Sequence, residues 1–532
     1  MKFAPRASGL LVPEEITSAP APIDLMYRYI PWSHISGQVI TFEDIIALVG
    51  RHQQDHFVVS CADLAARSHP NSKDVEIQGL FTQALPALAQ AAGPFLNKGH
   101  KLFGPQSALR LAQLAILHGS TDPNAPQIPH VMLIALCMAL QDHHDTEPEE
   151  QVDDVLAMEI AANNWLHRRL DPRNEFHRYE LRWESGEPVS ERIADAFKAG
   201  LGIPVSVIAG IGAALALREK DQSTSFNVEP NDPDNEVMLI GLRHLSADAG
   251  AFRDEFAKES ASAGESTWAF SPFQRFPIYR CKDGRYVVID TSMMLRRCLG
   301  WPLVYDALSG IPDSEQKSVL NQIELLAEKQ TCDRIRVSLT SSSWKDRVVS
   351  ETDLKAVFGG HGVKTADLAV EYPNAWLVIE VSAIRPKYQA LAAHSAKHYG
   401  ELIDQAVEEA KQAIATSRKL LEHAQTPTDR FRLIDSSSRM YPIVVATEGF
   451  PSNPLLHRDV RQQLEADTGN KSDSIAPVEI LDLDELELLL ALGENCGLSI
   501  VDLIQRKQES AFWSDSMHNY LWNHHKDQIS EL

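Results

Sequence analysis

Apolar and polar positions follow two different rhythms along this chain. From Thr41 to about residue 220, apolar residues recur at three- and four-residue spacing in Ala- and Leu-rich stretches. That spacing predicts helices at 42–49, 81–92, 106–118, 129–142, 150–169 and 190–220, with Thr41 placed to cap the first. At Phe276 the rhythm changes. Pro277–Cys281 and Arg285–Asp290 flank Lys282-Asp283-Gly284 and read as a β-hairpin with an Asp-Gly turn. A helix over Pro312–Lys329 follows, with Ser314 as its cap. Two strands come next, Val363–Glu371 and Trp376–Ala383, joined by the turn Tyr372-Pro373-Asn374. A long helix, Tyr388–His423, carries Tyr399, Leu402, Ile403, Ala406, Val407, Ala410, Ala413 and Ile414 as one apolar stripe. The pattern closes with a strand at Met440–Thr447, a helix at Pro454–Ala466, a strand at Pro477–Leu481 and a helix at Leu483–Leu490. Asp482 and Glu485 form a capping box at the start of that last helix.

These elements divide the chain into a Pro-rich arm (1–40), a helical domain (41–220), a linker region (221–270), an α/β domain (271–490) and a C-terminal helical segment (491–532). Glu219–Glu236 and Ala257–Ser266 read as loops, and Val237–Leu245 as a short strand or a helical turn. No fixed-period repeat is present, which argues against a solenoid. Strand, strand, long helix, strand, helix, strand is an α/β layer pattern.

The chemistry concentrates in the two strands that precede the long helix. Trp376–Ala383 is so apolar that it reads as a central strand covered on both faces, yet it contains Glu380. A bare carboxylate there is costly unless it is paired or holds a metal. Asp367 shares a face with Ala369 and Glu371, and Glu380 shares one with Val378 and Ser382. Two adjacent strands can therefore bring Asp367 and Glu380 together as hard oxygen ligands suited to Mg²⁺ or Mn²⁺.

Over roughly residues 315–490 this arrangement resembles the restriction-endonuclease-like, PD-(D/E)xK, nuclease superfamily. Its motif places an Asp on one strand, then an acid, any residue and a Lys on the next. Asp367 matches the first acid and Glu380 the second, while Ser382 stands where the Lys belongs. The resemblance implies a helical N-terminal half followed by a restriction-endonuclease-like α/β domain. It also implies a metal-dependent nuclease acting on DNA or RNA phosphodiesters, with Asp367 and Glu380 as metal ligands. Glu324 or Glu328 from the preceding helix, or Glu371 from the strand, would supply a further acid. Lys387, just past the strand end, is the foremost substitute for the missing lysine, ahead of Lys364 and Lys397. By fold-level analogy, such two-part proteins resemble bacterial defence or DNA-processing effectors. The alternative is a catalytically inactive protein of the same fold that binds nucleic acid or a protein partner. A third reading is a helical scaffold in which Asp367 and Glu380 are structural, for example paired with Arg385.

Charge shapes where nucleic acid could touch. With 50 basic and 73 acidic residues, the net charge of −23 opposes polyanions at long range. Any contact therefore needs a local basic face. Arg168 and Arg169, in a cluster with Arg173, His177, Arg178 and Arg182, form one candidate unless nearby acids neutralise them. Arg296 and Arg297, with Arg334 and Arg336, form the other. Six scattered cysteines without a C-x-x-C pair point to a reducing cytoplasm. Met1–Pro13 lacks a signal-peptide core. The apolar run Leu201–Leu217, interrupted by Pro204, Gly210 and Gly212, reads as a buried helix rather than a membrane span. Asp142-His143-His144-Asp145 and Asn523-His524-His525 read as surface rather than as transition-metal sites.

Overall fold

The computed structural model describes residues 3–5, 11–13, 29–68, 75–98, 100–143, 172–219, 224–229, 235–263, 270–340, 347–360, 362–372, 374–384, 396–424, 438–451, 454–468, 473–510 and 512–531. The chain is of mixed helix and sheet and divides into two compact units. One comprises residues 27–152 and 166–319. The other comprises 1–26, 153–165 and 320–532.

The first unit is mainly helical. Thr41 caps Phe42–Val49 by accepting from the Asp44 amide, as its position predicts. The helix expected at 81–92 is two, Val75–Ala84 and Pro86–Leu96. Pro86 cannot donate a backbone bond to the preceding turn and instead opens the second helix. The helix expected at 190–220 also divides, into Pro188–Leu201 and Val205–Glu219. Gly202 takes the left-handed conformation (φ +74°) at the break, and Pro204 follows it. Among the described residues no single helix is long and apolar enough to cross a membrane. This one pair passes that test only together, bent by 86°.

The stretch expected as a linker holds two helices, Glu236–Leu245 and Ala249–Ala263. Leu242, Leu245, Phe252 and Phe256 are fully or almost fully buried, so burial of apolar side chains overrides the polar composition around them. The hairpin is present as Ile278–Arg280 against Tyr286–Val288, turning at Gly284 (φ +88°). It lies in this helical unit, whose four-stranded sheet it shares with Ser225–Phe226 and Ser246–Ala247. The α/β unit therefore begins near residue 320, inside a helix, and not at 271. The helix expected at 150–169 falls outside the described residues.

In the second unit we label the helices α1 (Asp313–Thr340), α2 (Glu351–Phe358), α3 (Ala396–Ala424), α4 (Pro454–Thr468), α5 (Leu483–Cys496), α6 (Ile500–Glu509) and α7 (Met517–His524). Besides the short antiparallel pair Phe3–Pro5 and Leu11–Pro13, its strands are β1 (Val348–Ser350), β2 (Leu368–Tyr372), β3 (Ala375–Ser382), β4 (Arg439–Ala446) and β5 (Glu479–Asp482). β1 to β5 form one sheet in the order β5-β4-β3-β2-β1. β3 pairs in parallel with β4 and antiparallel with β2, and β4 pairs in parallel with β5. Every residue of β3 is buried, Glu380 and Ser382 included, as expected for a mostly apolar central strand. β2 is shorter than expected, because residues 363–367 lead into it without pairing. Asn374 (φ +61°) makes the tight turn into β3.

Alternation along the strands divides two cores. Leu368, Val370, Leu377, Ile379, Val381, Ile443 and Val445 face α5, α6 and α7. Ala369, Trp376 and Val378 face Ala413 and Leu420 of α3, while Val444 and Ala446 face α3 and α4. The expected stripe on α3 is the face that packs here. Asp482 and Glu485 form the expected capping box of α5. At the sheet edge, fully buried Lys507 of α6 ion-pairs with fully buried Glu479 of β5.

Truncating Leu377, which is 1% exposed in the centre of β3, should cost about 2–5 kcal/mol. Removing the cap with Asp482→Ala should cost about 1 kcal/mol. Urea unfolding followed by far-ultraviolet circular dichroism measures both. An unchanged midpoint for Leu377→Ala would contradict a central β3.

Candidate functional site

The site lies where β2 and β3 meet the middle of α3 and one turn of α1. The antiparallel register pairs Leu368 with Ile379, and one step further it sets Asp367 opposite Glu380. Both therefore fall on the α3 side of the sheet, with Ala369 and Val378. Asp367 Oδ2 accepts the Val381 amide at 2.8 Å. Glu380 is 5% exposed; its Oε1 accepts from Gln412 Nε2 at 2.8 Å, and its Oε2 is buried without a hydrogen-bond partner.

Two more carboxyls complete the cluster. Glu328 of α1 accepts the Ala383 backbone amide and interacts electrostatically with Asp367 and Glu409. Glu409 of α3 accepts the Ser382 hydroxyl at 3.0 Å. Of the acids the sequence offered on the preceding helix, Glu328 contacts the strand end. Glu324 is half-buried one turn away, where its charge acts weakly on Glu328. Glu371 is buried opposite Trp376, further along β2.

Among the described residues, no ammonium or guanidinium is bonded to these carboxyls, and their protonation reflects it. Burial, followed by the charges of Asp367 and Glu409, pushes Glu380 up to about 9. Burial, followed by the Asp367 charge, pushes Glu328 to about 7. Burial pushes Asp367 to about 6 against the pull of the Val381 amide. Glu409 is raised too, again by burial, with the Ser382 hydroxyl and the Lys364 charge opposing. Desolvation and like charge act in the same direction here. A bound cation would relieve both.

The donor set is all oxygen, which suits a hard divalent ion. Among the described residues, no three His, Cys, Asp or Glu side chains are arranged as a ligand set. Mg²⁺ commonly takes one or two carboxylates and keeps several waters. Asp367 with the orphaned Glu380 Oε2 fits that smaller demand.

The lysine candidates fare differently. Lys364 is exposed, and its charge reaches Glu409. Lys397 is 80% exposed and lies 3.9 Å from Glu401. Lys387 and Arg385 lie outside the described residues, as do Arg168 and Arg169. Arg297 is buried in the helix Thr291–Leu299, bound to Asp306 at 2.7 Å and to the Arg275 carbonyl at 3.2 Å. Arg296 is half-buried on the same helix, and both belong to the helical unit. Arg334 pairs with Glu487 and Glu494, and Arg336 with Asp333. In the other basic cluster Arg178 pairs with Glu175, and Arg182 lies over Trp301 at 5.1 Å. Asp142 accepts from Ser33, and His143 Nε2 lies 2.7 Å from the Ile40 carbonyl, so both serve local structure.

Sequence reasoning missed Glu409 and Gln412. Their spacing on α3 placed them beside the apolar stripe, but only the seating of α3 on the sheet shows which strand end they meet. Comparison of the chain with family models, with curated proteins and with solved structures finds no match.

A carboxyl raised in the folded state favours folding below its unfolded pKa and loses that contribution as pH rises through its folded value. Without divalent ions, the melting temperature should therefore fall between the ordinary carboxyl range and about 9, where Glu380 titrates. Glu380→Gln, which keeps an acceptor for Gln412, should flatten the fall. Thermal melts in chelator at pH 5, 7 and 9 test this, and parallel curves for the two proteins would refute it.

Proposed function

We propose that the second unit is a restriction-endonuclease-like domain that hydrolyses nucleic-acid phosphodiesters with a divalent cation held by Asp367 and Glu380. The observation that carries this reading is the buried Glu380 Oε2, which has no hydrogen-bond partner among the described residues and sits among three other acids. Leaving a buried carboxylate unpaired is costly, and a cation is the partner that this chemistry calls for. The acid pair on adjacent strands, the acid on the preceding helix and the strand order all agree with the resemblance read from the sequence.

When bound, a divalent ion would polarise a phosphoryl oxygen and offset charge gathering on the phosphate. The chain's own residues do the rest. The Val381 amide fixes one oxygen of Asp367, and Gln412 fixes one oxygen of Glu380. Glu328, raised to about 7 by burial, would accept a proton from an attacking water.

A second reading, a nuclease-fold protein that binds but does not cut, rests on Ser382. The position of the motif lysine carries a neutral hydroxyl, and that hydroxyl is already donated to Glu409.

Incubating the full chain with plasmid, single-stranded DNA and RNA in Mn²⁺ or Mg²⁺ separates the two. Loss of groups that merely support a metal costs about 10–100-fold, so Glu380→Ala and Asp367→Asn should each lose at least about 100-fold in cleavage. Both should also lose Mn²⁺ binding by calorimetry. Mn²⁺ binding that depends on Glu380, with no cleavage of any substrate, would favour the second reading. Equal cleavage by wild type and Glu380→Ala would remove the site from the reaction.

A further inference from the structure

Part of the chain entering β2 has no partner in the sheet, and α3 supplies one. Residues 363–367 lie outside the ladder. Thr365 and Ala366 are nonetheless buried, so their backbone groups need partners elsewhere. Gln412 Nε2 donates to the Thr365 carbonyl at 3.0 Å, and the Ala366 amide donates to Thr416 Oγ1 at 2.8 Å. The same Gln412 nitrogen donates to Glu380 Oε1 at 2.8 Å. A side-chain amide nitrogen carries two hydrogens, one for each acceptor. The Thr365 carbonyl can only accept, so the nitrogen of Gln412 and not its oxygen faces both. Gln412 thus bridges the segment that delivers Asp367 and the acid that stands opposite Asp367.

The two acids share a pattern. Each has one oxygen fastened by an N–H donor: Asp367 Oδ2 by the Val381 amide at 2.8 Å, and Glu380 Oε1 by Gln412. Among the described residues, the second oxygen of each makes no hydrogen bond, and that of Glu380 is buried. This matters for the choice of ion. Ca²⁺ gathers about six to eight oxygens and readily takes both oxygens of one carboxylate, whereas Mg²⁺ demands a near-ideal octahedron and keeps several waters. Mn²⁺ is served by the same hard donors as Mg²⁺. A carboxylate with one oxygen held by an amide offers its other oxygen freely. To offer both, it must share or break the bond that holds it.

We infer that Gln412 is a positioning residue that sets which divalent cation the site takes: by holding Glu380 Oε1 it confines Glu380 to binding through Oε2, and so favours Mg²⁺ or Mn²⁺ over Ca²⁺. Its second bond, to Thr365, keeps the amide from following Glu380 if that carboxylate turns toward a larger ion. Discrimination by size and ligand number needs such rigidity. Glu409 and Thr416 lie on the same face of α3 as Gln412 and are bonded to Ser382 and Ala366, so the helix has little freedom to yield. This inference rests on the proposed cation site at Asp367 and Glu380. It concerns which ion binds, and its test reads binding rather than cleavage.

The experiment is calorimetric titration of the full chain, without nucleic acid, with Mn²⁺ and with Ca²⁺ separately. The parent should bind Mn²⁺ more tightly. Gln412→Met keeps the length of the side chain and removes the donor. It should lower the preference for Mn²⁺ over Ca²⁺ by about tenfold or more, the scale on which an outer hydrogen-bond partner affects a metal. Gln412→Asn, one methylene shorter, should narrow the preference too, and it serves if circular dichroism melts in chelator show the Met variant unfolded. Thr416→Val loosens the same segment but leaves Glu380 Oε1 held, so it should keep the preference. Equal loss of both ions in the Gln412 variants, or an unchanged preference, would overturn the inference, as would the same narrowing in Thr416→Val. Glu380→Ala separates the two levels. If it abolishes Mn²⁺ binding while Gln412→Met leaves the preference unmoved, the selectivity role alone fails. If Mn²⁺ binding survives Glu380→Ala, or the parent binds no Mn²⁺, the cation site fails and the selectivity role with it.

Discussion

The second unit is governed by an electrostatic demand: Glu328, Asp367, Glu380 and Glu409 meet in a desolvated pocket and, among the described residues, no cation is bonded to them. Backbone amides, one glutamine and one serine hydroxyl satisfy part of their capacity, but these dipoles do not cancel like charge. Without a cation, protons must be retained. With one, the carboxylates can ionise together. The sheet makes this possible, because its apolar cores on both faces resist the swelling that would let water dissipate the charge.

The helix α3 ties fold and chemistry together. Its apolar stripe packs on Val378 and Val444, while the neighbouring face carries Glu409, Gln412, Thr416 and Lys419. Each of those four polar side chains bonds to β3 or to the segment entering β2. Packing energy thus positions the polar constellation, and the polar bonds fix where the helix sits along its axis. Ser382 shows the consequence for function. A lysine there would have met Glu409 as a counter-ion; the hydroxyl leaves the pocket more anionic and more dependent on an added cation.

The net charge of −23 gains a spatial meaning in this unit. Arg334, Arg336, Arg458 and Arg461 are spent on ion pairs with neighbouring acids, which stabilise the fold rather than attract ligands. A protein repelled by polyanions at long range can still admit one at short range, since screening confines repulsion to about 8–10 Å at ordinary salt.

Local pattern alone determined much of the architecture. The mostly apolar run of β3, the stripe on α3 and the capping box at Asp482 depend on neighbours in the chain, and they appear as read; the register between β2 and β3 sets Asp367 opposite Glu380. Boundaries depending on competition between local signals did not. Pro86 and Gly202 split helices that periodicity alone had joined, and burial made helices of a stretch that looked like linker. The division of the chain near residue 320 lies inside a helix, where no compositional break marks it. Only the tertiary structure decided that Glu328 rather than Glu324 reaches the strand end, that Glu409 and Gln412 complete the pocket, and that Arg297, Arg334 and Arg336 are spent on ion pairs. Those outcomes depend on how a helix is rotated and seated against a sheet, and no spacing along a single chain encodes that rotation.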